Sequence, residues 1–598
     1  MNGRAPQRRR KLRDVRIAPS DWPTDRHRRI LFDVVAVVTL TTMVLILGGK
    51  DIRVGGFDWS DAPLHAMDGV LLYDLARERH VGGDVAEWAT RYYARYPCLG
   101  LVVYYPPFHP FIEAVSYALF GISEGVARAT VVGMAWVAVV GLYWLGVQLF
   151  GRPGAWGAAG LLATAPFGLS SLRDVMLEWP ATAMAVLAAG CYRAWYAKPS
   201  WRWAILGALT ASLAVLTKQT TLFILLVFAI HLLTAGAMSV FRHTWASQVP
   251  MKLRQGDLRL AAMVAVAAII VLLTLGVYDR ISSRYAEFSR FLVSGRPPWN
   301  HLGEAATYTQ YFQWFGEIFG WPFLVAWVTG LVWILLRREW QGSYLALLWL
   351  VLLWVQQTLV AWKMPRYFFF ALPAAALLAG RGWTLWPRWR RLPIGLIPLT
   401  GLIGYQFVTG VRTPTRRLPD YSAAVELLTR QSDADVVLVD GVRDGQFVFD
   451  VRSDPRAAGR IITLRGSKTL YSRAARGRWS HTTLRGTPEE ILELLNQYGI
   501  RYIVVESQLP VIPESARIDW EEPASNVLRE MLAEENRFTL IGRFPLGRTD
   551  PSWADVELRV YRYLQAPARR ASSIRIPIAA LGREVEVPLT SAPTIQTQ

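Results

Sequence analysis

Cysteine, charge and nucleotide-binding motifs are all scarce in this sequence. Cys98 and Cys191 are the two cysteines among 598 residues, and they lie in separate segments with no partner pattern. Their isolation argues against a disulfide framework and against a thiolate metal site. Charged residues make up 19% of the chain, which is below the level of an ordinary soluble domain. The sequence shows neither a Gly-rich phosphate loop nor an internal repeat, and so offers no nucleotide site.

Long apolar runs account for much of the sequence. Hydrophobic residues make up 52% of the chain, and the clearest runs are residues 31–49 and 260–278. Each is long enough to cross the ~30 Å hydrocarbon layer at ~1.5 Å per residue. The first run exceeds the apolar core of a signal peptide and follows a charged tail, so we expect a retained span rather than a cleaved leader. The sequence therefore predicts a polytopic α-helical membrane protein.

The basic residues indicate the orientation of that protein. The net charge is +19, but its arginines and lysines gather in the tail 1–30 and in short connectors between apolar runs. This is the pattern of the positive-inside rule, so the charge argues against nucleic-acid binding and puts the tail on the cytoplasmic side of what we expect to be the cytoplasmic (inner) membrane. With the tail in the cytoplasm, about eleven spans place every short basic connector on the same side. The predicted spans are residues 31–49, 126–149, 155–171, 179–197, 203–217, 219–238, 260–278, 318–336, 343–361, 367–380 and 393–410.

The chain divides into four predicted segments. They are a basic cytoplasmic tail (1–30), a membrane domain (31–411) with long outer loops at 50–125 and 279–317, an extracytoplasmic α/β domain (412–565) and a loose tail (566–598). The α/β prediction comes from short apolar runs such as VVLVDG and YIVVE, which alternate with helical patterns. Within the first outer loop, the apolar run after YYPPFHP is too short to span, so we expect it to lie along the outer leaflet.

Polar residues at the outer membrane surface are the candidates for chemistry. A charge within a span costs at least ~2.5–3.5 kcal/mol, so its presence requires a partner or a task. The candidates fall into four groups: Asp58, Asp61 and His65; Tyr104, Tyr105 and His109; Arg173, Asp174 and Glu178; and Lys218, Lys363 and Arg366. Some loops offer carboxylates and others offer cations. This fits a reaction in which a carboxylate deprotonates a hydroxyl while cations stabilise a departing phosphate.

Spacing alone leaves a structural interpretation of these residues open. Asp61 and His65 are four residues apart and could form a pair on a helix surface. Glu178 suits the positive end of a helix dipole, and Lys218 could extend to lipid headgroups. We expect Asp68 to be an ordinary surface acid. A metal site at Asp61 and His65 would have too few ligands, although a divalent cation remains possible.

An ordered set of segments carries a resemblance to a known family. The segments are YYPPFHPFIEAVSYALFGISEGVARA, LYWLGVQLFGRPGAWGAAGLLATAPFGLSSLRDVMLEWPATAMAVLA and WKMPRYFFFALPAAALLAG. In this order, after an acidic motif that follows the first span, they resemble the GT-C glycosyltransferases. The nearest branch is family 39, the protein O-mannosyltransferases, with the related enzymes that add 4-amino-arabinose to lipid A. The resemblance implies a membrane enzyme that transfers a sugar, with inversion, from a polyprenyl phosphate to an extracytoplasmic acceptor.

The resemblance also implies roles for individual residues. Asp61 matches the catalytic aspartate of the first loop, with Asp58 close enough to compete, and Glu178 matches the acidic residue of the second loop. His65 would assist the base or orient the acceptor. The implied substrate-binding residues are Asp58, Tyr105, His109, Arg173, Lys218 and Arg366. Relatives often have Lys-Pro-Pro-Leu where this chain has Tyr105-Pro106-Pro107-Phe108, so one of the family's phosphate contacts is absent here.

The implied partners are a polyprenyl-phosphate-linked sugar, membrane lipids and an acceptor that could be lipid, protein or polysaccharide. A transporter or lipid flippase with an accessory outer domain is the alternative. It predicts polar residues near the middle of the membrane in paired halves, whereas the polar residues of this chain gather at one face. A scaffolding role for the α/β domain could coexist with catalysis.

Overall fold

The structure is a computed structural model of the chain. It describes residues 25–78, 85–100, 105–244, 300–360, 363–386, 388–389, 392–416, 421–474, 480–508, 523–534, 536–546, 553–566, 573–578 and 583–589. The predicted span 260–278, Tyr104, most of the tail 1–30 and most of the outer loop 279–317 lie outside the described residues.

The membrane domain consists of helices joined by short connections. Its first helices are α1 (Arg26–Gly49), α2 (Ala62–Arg77), α3 (Val85–Arg95), α4 (Phe108–Phe120), α5 (Glu124–Phe150), α6 (Arg152–Thr164), α7 (Pro166–Leu172), α8 (Glu178–Ala197), α9 (Trp201–Val215) and α10 (Phe223–Thr244). After the segment 245–299 follow α11 (Ala305–Gln313), α12 (Phe315–Phe319), α13 (Trp321–Arg337), α14 (Trp340–Leu359), α15 (Ala371–Thr384) and α16 (Leu396–Arg412), with a small hairpin of β1 (Arg388–Trp389) and β2 (Leu392–Pro393). Short 3₁₀ turns lie at Gln219–Leu222, Asn300–Gly303 and Pro365–Phe368.

Each predicted span within the described residues overlaps one of these helices. In the described part of the chain, three helices are long and apolar enough to cross a membrane: Arg26–Gly49, Glu124–Phe150 and Gly342–Leu359. A fourth span results if Ala305–Phe319 and Trp321–Arg337, which meet at a bend of 115°, are counted together. The count of about eleven therefore remains a prediction. The predicted span 155–171 is broken at Ala165, because Pro166 cannot continue a helix through its missing N–H.

Small residues bring the inner helices close together. A Cβ on Gly380 or Gly382 of α15 would collide with the backbone of Gly154 in α6 or of Gly330 in α13. Close approach of this kind compensates for the weak hydrophobic drive between helices in lipid, because it increases van der Waals contact. The packing holds α15 between α6 and α13 and so fixes the 3₁₀ turn Pro365–Phe368 that precedes it.

The first outer loop is largely helical. α2 packs against α4, and α4 exposes Phe111, Leu119 and Phe120. With 13 residues, α4 is too short to span but presents an apolar face, as expected of a helix in the outer leaflet. This arrangement buries α2 between α4 and the C-terminal domain.

The C-terminal domain is built around a mixed five-stranded sheet. Its strands are β3 (Val436–Asp440), β4 (Ile462–Arg465), β7 (Tyr502–Glu506), β8 (Phe538–Pro545) and β9 (Glu557–Tyr563), in the order β4-β3-β7-β9-β8. The pairs β3–β4 and β3–β7 are parallel, and β9 is antiparallel to both of its neighbours. The helices of the domain are α17 (Tyr421–Thr429), α18 (Asp444–Ser453), α19 (Gly466–Thr469), α20 (Pro488–Gln497) and α21 (Pro523–Met531). A second hairpin consists of β5 (Tyr471–Ala474) and β6 (Ser480–Thr483).

The local sequence explains why these elements form. The central strands are runs of β-branched and apolar residues that are buried along their whole length, as parallel strands require. α20 begins with a capping box, in which Thr487 and Glu490 each bond to the other's backbone N–H, and has Pro488 in its first turn.

One part of the predicted loose tail is structured. Strands β10 (Ser573–Ile578) and β11 (Arg583–Pro588) form an antiparallel hairpin within residues 566–598. Ile574, Ile576, Val585 and Val587 are buried on one face of it. The prediction was wrong for these residues because the Pro- and Ser-rich composition of the tail concealed an alternating apolar pattern that buries one face of a strand pair.

Candidate active site

Asp61 and Arg366 form the outer part of the site. Asp61 stands immediately before α2, where Pro63 lies in the first turn. Among the described residues its carboxylate contacts Arg366 and caps no amide of the helix: Arg366 Nη1 donates to Asp61 Oδ2 at 2.5 Å. The Asp61 side chain is 26% exposed. It is therefore an ionised carboxylate that is close to a cation and still accessible to a substrate.

Glu178 and Lys218 form the inner part of the site. Glu178 is the first residue of α8 and is fully buried, and Lys218 precedes the 3₁₀ turn Gln219–Leu222. Lys218 Nζ donates to Glu178 Oε1 at 2.5 Å. Placing Glu178 at a helix N-terminus also favours its negative charge. Breaking such a buried pair leaves one uncompensated charge, which is strongly unfavourable.

The two ion pairs lie next to each other. Tyr367 connects them, because its ring centroid is 5.5 Å from the Arg366 guanidinium carbon and 5.8 Å from Lys218 Nζ. Burial alone would raise the pKa of Asp61, but the cations Arg366 and Lys218 hold it below its usual range. We refer to Asp61, Glu178, Lys218 and Arg366 as the charge cluster. It brings together residues from four distant parts of the chain.

Two predicted histidines lie behind the charge cluster. His65 is one helical turn after Asp61, is 2% exposed, and packs edge-on against Tyr105 with ring centroids 4.4 Å apart. Burial lowers the pKa of His65 to about 3, so its imidazole is neutral at physiological pH. His109 is fully buried on α4, with Nε2 3.3 Å from Glu113 Oε1. His65 and Tyr105 are therefore close to Asp61, whereas His109 belongs to a deeper layer.

Arg173 is not part of the charge cluster. Its guanidinium donates to three main-chain carbonyls, those of Leu47 at 2.9 Å, Gly410 at 2.8 Å and Thr413 at 2.9 Å. These bonds join the outer ends of α1 and α16 to the end of α7. These contacts are those of a structural residue that joins helix ends.

Asp58 and Asp68 also lie outside the charge cluster. The backbone N–H of Asp58 donates to Asp174 Oδ2 at 3.0 Å, in the loop before α2. Asp68 is fully buried and accepts a hydrogen bond from the Gly100 N–H at 2.8 Å. The expectation of a surface acid at Asp68 was wrong, because α4 and the C-terminal domain cover both faces of α2.

Sequence reasoning did not single out Tyr367 or Glu113 as site residues. Tyr367 directly follows Arg366 in the motif WKMPRYFFF, and Glu113 lies one helical turn after His109. The local signal was available in both cases. For Glu113 it was the i,i+4 spacing on a helix that also carries a buried histidine.

Comparisons with known proteins find similarity both in sequence, within the membrane domain, and in fold. Residues 105–251 match the family model described as dolichyl-phosphate-mannose-protein mannosyltransferase. A comparison with curated protein sequences finds no match.

Solved structures with a similar fold include two glycosyltransferases. ArnT from Cupriavidus metallidurans bound to undecaprenyl phosphate is 13% identical with a TM-score of 0.53, over 90% of this chain and 99% of that one. The Archaeoglobus fulgidus oligosaccharyltransferase in complex with Zn and sulfate is 13% identical with a TM-score of 0.51, over 79% of this chain and 68% of that one. The predicted resemblance to GT-C glycosyltransferases is confirmed, and the chain has their multi-pass membrane fold.

A metal site does not follow from these residues. Within the described part of the chain, no group of three or more His, Cys, Asp and Glu side chains is placed to hold a metal ion. Asp61 and Glu178 each face a cation instead, so the residues present do not fit a divalent cation at the charge cluster.

Proposed function

We propose that this chain is an integral-membrane glycosyltransferase that transfers a sugar from a polyprenyl phosphate to an acceptor hydroxyl, with Asp61 as the general base. The observation that carries the proposal is the charge cluster itself. An accessible carboxylate lies against Arg366, next to a second cation, Lys218. A base and a pair of phosphate-binding cations are what the transfer of a sugar from a lipid phosphate requires.

In the proposed reaction Asp61 accepts the proton of the acceptor hydroxyl. The hydroxyl oxygen attacks the anomeric carbon and forms the new glycosidic bond, while the bond from that carbon to the phosphate oxygen breaks. The electron pair of the broken bond leaves on the polyprenyl phosphate. A carboxylate with a lowered pKa is a weak base in water, so its role depends on the positioned approach of the hydroxyl.

Arg366 and Lys218 would stabilise the departing phosphate. In this structure each is paired with a carboxylate. A lipid phosphate that binds Arg366 would compete with Asp61 for the guanidinium and so release the carboxylate for proton transfer. Glu178 would keep Lys218 oriented, and neutral His65 would orient the acceptor. Undecaprenyl phosphate, which is bound in the ArnT structure, has the phosphate chemistry that this pair of cations suits.

The proposal also gives the side of the membrane on which the reaction takes place and the residues that bind the donor. The charge cluster and the C-terminal domain would face the extracytoplasmic side of the cytoplasmic membrane, as the basic connectors predict. The acceptor would be a lipid, a protein or a polysaccharide. Because Tyr105 stands where relatives often have lysine, we expect His109 and Tyr105 to shape the donor pocket and the cations of the charge cluster to hold the phosphate.

The test compares Asp61→Asn with Asp58→Asn, which makes the same change three residues earlier. Each variant is produced in cells that lack the chain, and envelope glycans and glycoproteins are measured by mass spectrometry. Binding of undecaprenyl phosphate to the purified variants is measured in parallel. We expect Asp61→Asn to reduce transfer by ~10²–10⁴-fold and to keep lipid-phosphate binding, while Asp58→Asn keeps both.

Full transfer by Asp61→Asn would overturn the assignment of the base. If deletion of the chain changes no glycan but alters the distribution of a lipid between leaflets, the glycosyltransferase proposal fails in favour of a flippase.

A further inference from the structure

The loop that leads to Asp61 is held by side chains from three other parts of the molecule. Four successive amides of this loop, residues 56–59, donate to side-chain oxygens. The bonds are Gly56 N to Glu124 Oε1 at 2.7 Å, Phe57 N to Gln446 Oε1 at 3.0 Å, Asp58 N to Asp174 Oδ2 at 3.0 Å and Trp59 N to Asp174 Oδ2 at 2.7 Å. Buried amides require partners, and here they receive them from outside the loop. The loop therefore takes its shape from long-range contacts.

Arg128 fixes the carbonyl side of the same loop. It lies in α5, is 1% exposed and donates to the carbonyls of Ile52 and Val54 at 2.9 and 2.7 Å and to that of Gly56. The Arg128 guanidinium also lies over the ring of Phe57, whose centroid is 5.6 Å from the guanidinium carbon. Donors on one side and acceptors on the other thus determine the path of the chain just before the catalytic residue.

Gln446 is the partner that comes from the C-terminal domain. It lies in α18, is 2% exposed, and uses both ends of its amide. Its oxygen accepts from Phe57, and its nitrogen donates to Glu124 Oε1 at 2.7 Å and to Asp450 Oδ1 at 2.8 Å. Gln446 therefore connects the loop, α5 and α18 at a single point, 389 residues along the chain from Phe57.

The rest of α18 is packed against the same region. A Cβ on Gly445 would lie 3.0 Å from Cys98 Sγ and 3.3 Å from Pro63 Cγ, so the backbone of α18 lies against the first turn of α2. At the other end of α18, Arg452 pairs with Asp74 near the end of α2. The C-terminal domain thus contacts α2 along its length, starting two residues from Asp61.

We propose that Gln446 is a positioning residue, and that the C-terminal α/β domain holds the loop that carries Asp61 in its working geometry. This rests on the proposed function for its catalytic consequence. The domain is then part of the catalytic apparatus. The physical reason is that a shift of about 1 Å in a reacting group can reduce a rate by ~10²-fold.

Gln446→Leu tests the proposal, because leucine has a similar volume and forms no hydrogen bond. Gln497→Leu is the matched control, since Gln497 is exposed at the end of α20 in the same domain. The first measurement is hydrogen–deuterium exchange of the full-length protein over residues 56–59. It does not depend on any activity, and so it separates this inference from the proposed function. We expect exchange to become at least about tenfold faster in Gln446→Leu, because the Phe57 amide loses its partner, and to remain unchanged in Gln497→Leu.

The second measurement is transfer, taken as the abundance of the glycan that disappears on deletion of the chain, alongside undecaprenyl phosphate binding. We expect Gln446→Leu to lower transfer by about 10- to 100-fold and to leave the affinity for undecaprenyl phosphate within about twofold. Unchanged exchange at residues 56–59 would overturn the inference. Faster exchange with unchanged transfer would overturn the catalytic role of the contact.

Gln446→Glu supplies a readout that a general loss of stability would not move. The introduced carboxyl would take the place of the amide that faces Glu124 Oε1 and Asp450 Oδ1. Burial beside these acidic side chains would raise its pKa, and only its protonated form can donate to one of these oxygens while it accepts from Phe57. We expect the transfer ratio of Gln446→Glu to wild type to rise as the pH falls. A ratio that does not change with pH would contradict a role for the hydrogen bonds.

Discussion

The buried cations near the charge cluster and the loop that leads to it are of two kinds, which differ in their hydrogen-bond partners. Arg173 and Arg128 donate to main-chain carbonyls. Arg366 and Lys218 donate to carboxylates. All four side chains are largely buried, and burial alone would not tell one kind from the other.

The difference shows what each cation can do. A guanidinium that donates to several carbonyls at helix ends is not available to bind a substrate, because its removal leaves buried acceptors without donors. A cation paired with a carboxylate can exchange that partner for a phosphate, since both anions accept charge-assisted hydrogen bonds from it. Partner type therefore separates structural cations from candidate substrate contacts, and the following variants test that distinction.

The pair Glu178–Lys218 should give the largest effect. Lys218→Met leaves Glu178 fully buried without its cation, which we expect to lower the free energy of unfolding by about 3–5 kcal/mol. The double variant Lys218→Met with Glu178→Gln should lose clearly less than the sum of the single variants, because the uncompensated charge is removed. Unfolding in mixed detergent micelles measures all three proteins. Additive losses would mean that the two side chains do not form a coupled pair.

Arg173→Met and Arg366→Met should give opposite results. Arg173→Met removes the donor from three carbonyls, and we expect it to lower the free energy of unfolding by about 2–4 kcal/mol. Transfer per folded molecule should stay within about twofold of wild type. Arg366→Met should instead reduce transfer by ~10²–10³-fold, the usual loss for a group that stabilises developing charge. Glycan abundance normalised to folded protein, with melting temperature, distinguishes the two outcomes. The distinction fails if Arg173→Met abolishes transfer at unchanged stability.

The sequence alone identifies these charged residues, but it does not distinguish the structural cations from the candidate substrate contacts. Periodicity and the positive-inside rule place Asp61, Glu178, Lys218 and Arg366 at one face, and they predict Arg173 there for the same reason. What separates Arg173 is contact with helix ends far along the chain, and no local pattern encodes such contact. Strands such as 436–440 and 502–506 were predictable because burial on both faces leaves an unbroken apolar run.

Other features had a weak local signal or none. Gln446 reaches a loop 389 residues away, and a lone glutamine in an amphipathic helix is most often a solvated residue. The hairpin of residues 573–578 and 583–588 does alternate apolar and polar residues, but the flanking Pro, Ser and Ala residues suggested an unstructured tail. Buried polar positions are determined by tertiary contact, which explains why Asp68 was expected at the surface.

The pH dependence of transfer should show which cation acts on the pKa of Asp61. In the folded protein the pKa of Asp61 is held below its usual range, against the effect of burial, by the cations Arg366 and Lys218. The base is thus ionised at neutral pH, and the stability that its charge contributes is lost only as the pH falls below the usual value of ~3.9. His65, with its pKa at about 3, is neutral from physiological pH down to the start of that window.

Arg366→Gln should move the acid limb of the transfer profile to higher pH. The variant removes the main opposing cation, so burial would then dominate and raise the pKa of Asp61. His65→Gln is the control, and its acid limb should stay near that of the wild type because a neutral imidazole contributes little to the potential at Asp61. Transfer measured across a pH series with undecaprenyl phosphate binding as reference checks both. An unshifted limb in Arg366→Gln would show that Asp61 does not limit the rate on the acid side.

Lys363 should give the smallest effect and thereby the most selective test of partner type. It lies three residues before Arg366, and its ammonium donates to the carbonyls of Gln357, Thr358 and Val360 at the end of α14, at 2.6, 3.2 and 2.6 Å. Lys363→Met removes the donor from these carbonyls but also the cost of burying the charge, so we expect the free energy of unfolding to change by at most about 1 kcal/mol and transfer to stay unchanged.

The sign of its pH dependence follows from burial, which lowers the pKa of Lys363 to about 8. The unfolded chain binds a proton there up to the usual ~10.4, so wild-type stability should rise with pH between these values. That rise should be reduced in Lys363→Met, as measured by unfolding at pH 8 and 10. Lys218 and Lys363 are the same type of residue and are predicted to lie at the same membrane surface. If Lys363→Met abolished transfer, the type of hydrogen-bond partner would not distinguish structural cations from candidate substrate contacts.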